Sequence, residues 1–408
     1  MMPATGLNVL ASGAFEYPFS RVRDLLAPFE PGIRPGIDLT LGEPREMMPS
    51  FVTERWAEAQ ASLAKYPAIR GSDELRGAIA DWLTRRYGLS AGTVEPARHI
   101  LPLNGSREGL FYACLPAVGR KRLADGVRPA VVMCNPYYAA YIGAALAANA
   151  EPVYLNATPA TGNLPDLDRL AEDRALLERT AALYICSPAN PQGAVASRDY
   201  IAQALALARC HDFMLLFDEC YSEIYSGEAP IGGLEVAAES AEGFANIVVF
   251  NSLSKRSNLP GLRSGFVAGD AVFLDTLANI RNLIGPQMPG PTQAASAAIW
   301  AEEQHVAVNR QAYRRKFDLA DAILGRRFGY VRPAGGFFLW LDMSQAGGGE
   351  EAAVTLWQRG GVKVLPGVYL AQTGTDGSNP GTDFVRVALV QDEASIGEAL
   401  RRLVSVIA

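Results

Sequence analysis

Short apolar runs that end in turn residues recur through the middle of the chain, at 130–134, 182–186, 213–217 and 247–250. Runs of this kind, without polar alternation, predict strands buried on both faces. Longer segments with apolar positions at helical spacing lie between or near them, at 107–118, 138–148 and 199–208. That alternation predicts an α/β domain built on a mainly parallel sheet. From residue 290 onward the pattern changes. A long helical region over 292–328 precedes strand-like runs at 336–341, 362–365 and 384–390, and a terminal helix follows Asp392. This part reads as a smaller α+β domain.

The polar residues fall in a telling place. In open α/β sheets, ligands sit beyond the carboxyl ends of the strands. Asn135-Pro136-Tyr137-Tyr138, the turn 187–193, Asp218-Glu219-Cys220-Tyr221 and the stretch from Ser252 to Lys255 each follow an apolar run directly. Four strand ends therefore predict a single crevice lined with Tyr, Asn, Asp, Ser and Lys.

Composition narrows the class. The chain has 408 residues, enough for two domains, and with 49% apolar and 20% charged residues it has the balance of a globular protein. A net charge of −6 argues against nucleic acid as a partner, which needs a basic face. Residues 1–20 lack the marks of a signal peptide, and no apolar run approaches the roughly 20 residues of a membrane span, so the expected location is the cytoplasm. The five cysteines show no C-x-x-C spacing and sit in or beside apolar segments, which predicts buried, reduced thiols. The three histidines are far apart, so no zinc site is expected.

Candidate chemistry centres on Lys255, just after the run 247–250. A lysine at a buried strand end has its pKa lowered and can form an imine; a solvated surface lysine is the alternative. Arg263, eight residues on, offers a planar fork for a phosphate. Asp218 ends the very apolar run 213–217 and needs a strong partner, because an unpaired buried charge is costly. A protonated pyridine nitrogen is one such partner; an arginine, a helix cap or a metal shared with Glu219 are others. Asn190 lies in a turn with two prolines and a glycine, either a plain connection or an amide donor to a phenolate-like oxygen. Gly105 and Ser106 precede a helical segment and suit an anion or an ordinary cap. Arg386 is the one charge inside 384–389, facing solvent or gripping a carboxylate.

Taken together, these residues resemble the fold-type I, class I/II aminotransferases, and the resemblance spans nearly the whole chain. It implies a large domain with a mainly parallel sheet and a smaller α+β domain. The expected division is an arm with part of the small domain (1–40), a large cofactor-binding domain (41–288) and a small C-terminal domain (289–408). It implies pyridoxal 5′-phosphate as cofactor, held covalently by Lys255, which also shuttles the proton. Asp218 would pair with the ring nitrogen, while Asn190 and Tyr221 bond the ring hydroxyl oxygen. Tyr138 would stack on the ring, and Gly105, Ser106, Ser252 and Arg263 would hold the phosphate. Arg386 would hold the substrate α-carboxylate, with Gly42 lining the substrate side. Tyr66 matches a tyrosine that reaches the phosphate of a neighbouring subunit, which implies a homodimer.

A closer resemblance is to bacterial succinyldiaminopimelate transaminases of lysine biosynthesis. It rests on Tyr17-Pro18-Phe19, Leu41-Gly42-Glu43-Pro44, Asn104-Gly105-Ser106-Arg107-Glu108, the stretch 218–225 and the stretch 252–266. It implies amino transfer between N-succinyl-LL-2,6-diaminopimelate and 2-oxoglutarate. Such a donor carries extra carboxylates, for which Arg21, Arg23, Arg45 and Arg256 are the candidate readers. Two departures stand out. Gln192 replaces the threonine usual in that turn, and 282–290 differs from the His-Gly-Cys-containing segment of those transaminases, expected near the site. The alternatives are an aminotransferase for aspartate, aromatic or other donors, a lyase on the same fold, and the effector-sensing half of a transcription regulator. The last would need a basic domain before Leu41, for which there is no room.

Overall fold

The structure, a computed structural model, describes residues 6–12, 16–285, 287–374 and 377–407. Seven strands form its main sheet, in the order Ile100–Leu103, Gly265–Gly269, Ile247–Ser252, Met214–Asp218, Thr180–Cys186, Ala130–Asn135 and Glu151–Asn156. Gly265–Gly269 runs antiparallel to both neighbours, and the four pairings from Ile247–Ser252 to Glu151–Asn156 are parallel. Successive side chains in the central strands enter opposite cores. Leu183, Ile185, Leu215 and Phe217 join one buried cluster, and Ala182, Tyr184, Met214 and Leu216 join the other. With both faces covered, no polar alternation is required, which is why these strands read as unbroken apolar runs.

The smaller domain carries a three-stranded antiparallel sheet of Leu365–Pro366, Phe384–Ala388 and Phe338–Asp342. Leu339, Leu341, Val385 and Val387 form its core with Phe317 of helix Gln304–Leu324 and Leu400 of helix Glu393–Ile407. The chain's early part joins this domain, since Ile37–Asp38 pairs with Val362–Lys363 and Leu39 enters the same core. Helix Gly290–Ala301 packs the other way, its Ala295, Ile299 and Trp300 lying in the core of the large domain.

Two expected helices are broken. The region 292–328 forms Gly290–Ala301 and Gln304–Leu324, because Glu302 is extended and its carboxylate accepts the N–H groups of Gln304 (2.6 Å) and His305 (3.2 Å), capping the second helix. The region 107–118 forms Ser106–Tyr112 and Cys114–Arg120, where Pro116 has no N–H to offer the carbonyl of Tyr112. Three strands of the main sheet escaped the reading. Ile100–Leu103 contains Pro102, tolerated because it is an edge strand, Glu151–Asn156 is the half-exposed opposite edge, and Gly265–Gly269 has a glycine at each end. Four cysteines are buried, but Cys210 is exposed, since it lies off the apolar stripe of Ile201, Ala204, Leu205 and Ala208 on its helix. Among the described residues no helix is long and apolar enough to cross a membrane.

Candidate active site

The carboxyl ends of the parallel strands open into a cavity of ≈ 250 Å³. Gly42, Ser106, Tyr138, Asn190, Asp218, Tyr221, Lys255 and Arg386 all line it. Lys255 stands in the short helix Leu253–Arg256 at the end of strand Ile247–Ser252. Its Nζ donates to the carbonyl of Gly42 (2.5 Å) and lies 5.3 Å from the centre of the Phe337 ring. Burial pulls its ammonium down to about 8; Arg386 and Arg107 push the same way, against Cys220 and Glu43. A lysine so tuned is neutral enough near pH 8 to act as nucleophile and base.

Asp218, 5% exposed, closes the neighbouring strand. One carboxylate oxygen accepts the Tyr141 hydroxyl (2.8 Å) and the other the N–H of Cys220 (3.1 Å). Burial raises its pKa, and the hydrogen bonds from Cys220 and Tyr141 and the charge of Lys255 oppose that rise. Glu219 turns to the other side of the sheet. There it accepts Tyr87 Oη (2.8 Å), the Gly233 N–H (2.7 Å) and Asn251 Nδ2 (3.1 Å), so it shares no ligand site with Asp218.

Arg386 does not face solvent. It is 4% exposed, its Nη2 donates to the carbonyl of Thr40 (2.6 Å), and its Nη1 donates to Asn190 Oδ1 (3.1 Å). Its Nε is buried without a partner, and the guanidinium lies 4.3 Å from the centre of the Phe338 ring. Burial lowers its pKa to about 10. Asn190 in turn directs Nδ2 toward the Tyr221 hydroxyl at 3.5 Å. This arrangement leaves a desolvated cation in the lining of the cavity, a group that suits an anion.

Gly105, Ser252 and Arg263 stand behind the wall at the Ser106 end. Gly105 has φ +83°, and a Cβ there would lie 2.4 Å from Arg263 Nη2, so only glycine lets the guanidinium come this close. Arg263 donates to the carbonyls of Pro260 (2.9 Å) and Asn104 (3.2 Å), and Ser252 Oγ donates to the carbonyl of Ser264 (3.1 Å). Ser106 Oγ accepts the Cys220 thiol at 2.9 Å. Tyr138 accepts a hydrogen bond from Arg107 Nε and meets Tyr141 edge-on at 5.7 Å between ring centres. Like Gly105, Ser252 and Arg263, Tyr66 does not line this cavity, and it is 98% exposed.

Several functional residues escaped the reading. Tyr141, one helical turn after Tyr138, carries the hydroxyl on Asp218; only the spacing of three hinted at it. Arg107 and Glu43 place opposite charges on the cavity wall. None of the four arginines expected to read a distal carboxylate lines the cavity. Arg256 is buried on Ile299 O (2.9 Å), Glu302 O (3.0 Å) and Glu303 (2.6 Å), so it is not solvated either. Arg45 bonds Gln391, Arg23 bonds Asp24, and Arg21 stacks 3.8 Å over Tyr369, behind the wall. The segment 282–290, expected near the site, contributes nothing to this cavity among its described residues, and its Pro286 lies outside them. It instead adds Leu283, 88% exposed, to the surface.

The donor set fits pyridoxal phosphate. A buried carboxylate with no cation in hydrogen-bond reach among the described residues and a lysine poised near neutrality line a cavity walled by aromatic rings, with a glycine-backed arginine behind its Ser106 end. Comparison with known proteins agrees. Residues 34–403 match the model of the family described as aminotransferase class I and II. The LL-diaminopimelate aminotransferase of Desulforudis audaxviator is 29% identical over 395 residues, covering 95% of this chain and 94% of that protein. The 4-dedimethylamino-4-oxo-anhydrotetracycline transaminase OxyQ of Streptomyces rimosus is 31% identical, covering 90% and 92%. An aminotransferase of Neisseria meningitidis Z2491 superposes with a TM-score of 0.90 at 37% identity, covering 96% of this chain and 98% of that one. The chain belongs to the class I and II aminotransferases, pyridoxal-phosphate enzymes acting on amino and oxo acids.

Proposed function

We propose that the chain transfers the amino group of N-succinyl-LL-2,6-diaminopimelate to 2-oxoglutarate, in the cytoplasm, as a step of lysine biosynthesis. The observation that carries the reading is the presence of two arginines, Arg386 and Arg107, in the lining of one cavity. Arg386, buried with a free Nε, would take the α-carboxylate, and Arg107, beside the Tyr17 and Tyr138 hydroxyls, would take a carboxylate at the far end. The motif stretches shared with succinyldiaminopimelate transaminases support that donor. A second reading, unsuccinylated LL-diaminopimelate, is favoured by the names of the relatives that match over most of the chain.

In this reading pyridoxal phosphate, when bound, supplies an electron-withdrawing ring that accepts the electron pair of the donor's Cα–H bond. Lys255 Nζ takes the Cα proton of the donor and, in the reverse half-reaction, places one on the Cα of the oxo acid. The Gly42 carbonyl holds Nζ whenever the lysine is free. Asp218 would hold the ring nitrogen, Asn190 and Tyr221 the ring oxygen, and Tyr138 would pack on the ring. Gly105, Ser106, Ser252 and Arg263 would hold the phosphate. Tyr66 would reach the phosphate of a partner in a homodimer, a role supported by its exposure; Met47, Trp56 and Leu63 are exposed as well. The boundary expected between 288 and 289 is placed instead after Ala301, because Ala295, Ile299 and Trp300 still pack in the large-domain core.

The test is the visible absorption of the holo-protein on adding donor without acceptor. N-succinyl-LL-2,6-diaminopimelate should bleach the band of lysine-bound cofactor, and 2-oxoglutarate should restore it. Bleaching by LL-diaminopimelate alone selects the second reading, and bleaching only by aspartate or an aromatic amino acid removes both.

A further inference from the structure

We propose that Tyr141 is a positioning residue for the cofactor: its hydroxyl fixes Asp218 as an ionised carboxylate aimed at the ring nitrogen. The proposal rests on the reading of Asp218 given above and extends it to the residue whose hydroxyl holds that carboxylate.

The geometry is specific. Tyr141 lies in helix Ala139–Ala147, fully buried, and its hydroxyl donates to Asp218 Oδ2 at 2.8 Å. The ring cannot swing away, because it stacks on Tyr184 at 4.4 Å between centres with planes 12° apart, and Tyr138 closes its edge. Tyr184 is pinned in its turn by donating to the carbonyl of Leu110 (2.6 Å). Among the described residues Asp218 makes no ion pair; it is held by the Tyr141 hydroxyl, the Cys220 N–H and the Cys220 thiol, and of these only Tyr141 comes from outside its own turn.

A buried carboxylate with so few donors would take up a proton and lose its attraction for a pyridinium. The Tyr141 hydroxyl counters this. Burial and the adjacent carboxylate hold its own pKa well above the ordinary tyrosine value, so the proton stays on the phenol and the hydroxyl remains a donor. One hydrogen bond to a charged group is worth about 1.5–3 kcal/mol, which is roughly ten- to a hundredfold in an equilibrium constant.

The experiment is titration of apo-protein with pyridoxal phosphate, for wild type, Tyr141→Phe, Tyr184→Phe and Asp218→Asn. Tyr141→Phe should bind roughly ten- to a hundredfold more weakly, whereas Tyr184→Phe, losing a hydroxyl in the same stack but not on Asp218, should bind within about twofold of wild type. With the analogue bearing carbon in place of the ring nitrogen, the deficit of Tyr141→Phe should vanish. The Tyr141→Phe/Asp218→Asn double variant should bind no more weakly than Asp218→Asn alone, since both changes act through one contact. Equal weakening by both Phe variants would assign the effect to ring packing and overturn the proposal. Unchanged binding by Tyr141→Phe with weakened Asp218→Asn would also overturn it, leaving Asp218 in its role. Unchanged binding by Asp218→Asn would remove the reading of Asp218 itself.

Discussion

Arg386→Met separates binding from stability in a way the structure makes quantitative. In the free protein the guanidinium is buried and makes no ion pair among the described residues, and burial lowers its pKa to about 10. At about 1.4 kcal/mol per unit, keeping it charged costs the fold on the order of 3 kcal/mol. Methionine removes that cost with a stem of similar reach. Against this gain, the carbonyl of Thr40 and the amide oxygen of Asn190 lose their donors, at about 1–2 kcal/mol each. The two effects nearly cancel, so the apo-protein should melt within a few degrees of wild type. Turnover should not be spared. Truncating one partner of a buried charge pair costs about 2–5 kcal/mol, which is roughly thirtyfold to several thousandfold in kcat/KM. The assays are calorimetric melting of the apo-protein and steady-state kinetics with the amino donor. A kcat/KM within threefold of wild type refutes the carboxylate grip. A melt lowered by more than about ten degrees refutes the stability reasoning, because it would mean that the cation holds the fold together.

Other expectations follow from the same geometry. Lys255 in apo-protein, lowered to about 8 by burial, should react with an amine-selective label along a pH curve centred near 8, while surface lysines titrate higher. Its folded pKa lies below the unfolded one, so apo-protein stability should rise from pH 8 upward as the penalty for the charged form fades; a flat melting profile there contradicts the burial argument. Gly42→Ala puts a Cβ 2.5 Å from the Phe338 ring, so cofactor-loaded protein should show a kcat/KM reduced by about tenfold or more. Tyr66→Phe and Lys255→Ala homodimers should both be weak or inactive, yet mixing and reassembling them should regain activity, since one hybrid site has both residues intact; no recovery argues against a residue shared between subunits.

Much of this was legible in residue identities. The central strands were visible because burial on both faces removes polar alternation, and the four polar tails marked the crevice because a parallel sheet gathers its carboxyl ends on one side. Arg386 was ambiguous for the opposite reason. A strand of alternating environment can place its single charge on either face, and only the pairing with Thr40 and Asn190 decides. The four candidate arginines lie close to motif residues along the chain, but nearness in sequence is not nearness in space: Arg256 follows Lys255 and points away from the cavity, toward Trp82 and Trp300. Arg107 was passed over because it follows the anion-site serine and looked like part of a cap.

The least legible part of the site is made of main chain. The strap from Leu39 to Met47 holds two of the charged groups of the cavity, Arg386 and Lys255, through main-chain carbonyls. The carbonyl of Thr40 accepts Arg386, and the carbonyl of Gly42 accepts Lys255. The strap is tied at its ends to the two domains. The Leu39 carbonyl accepts the N–H of Ala388 in the small domain, and the Met47 carbonyl accepts Asn258 of the large one. Between these ties, Glu46 pairs at 2.5 Å with Lys316, which is 1% exposed on the helix Gln304–Leu324. Every residue type offers the same carbonyl, so no substitution pattern or spacing announces such an acceptor. What residue identity does record is the consequence: Gly42 is glycine because the strap must press against Phe338 to bring its carbonyl within reach of Nζ. A domain movement that shifted the strap would therefore act on Arg386 and Lys255 together, coupling the grip on the carboxylate to the placement of the amine.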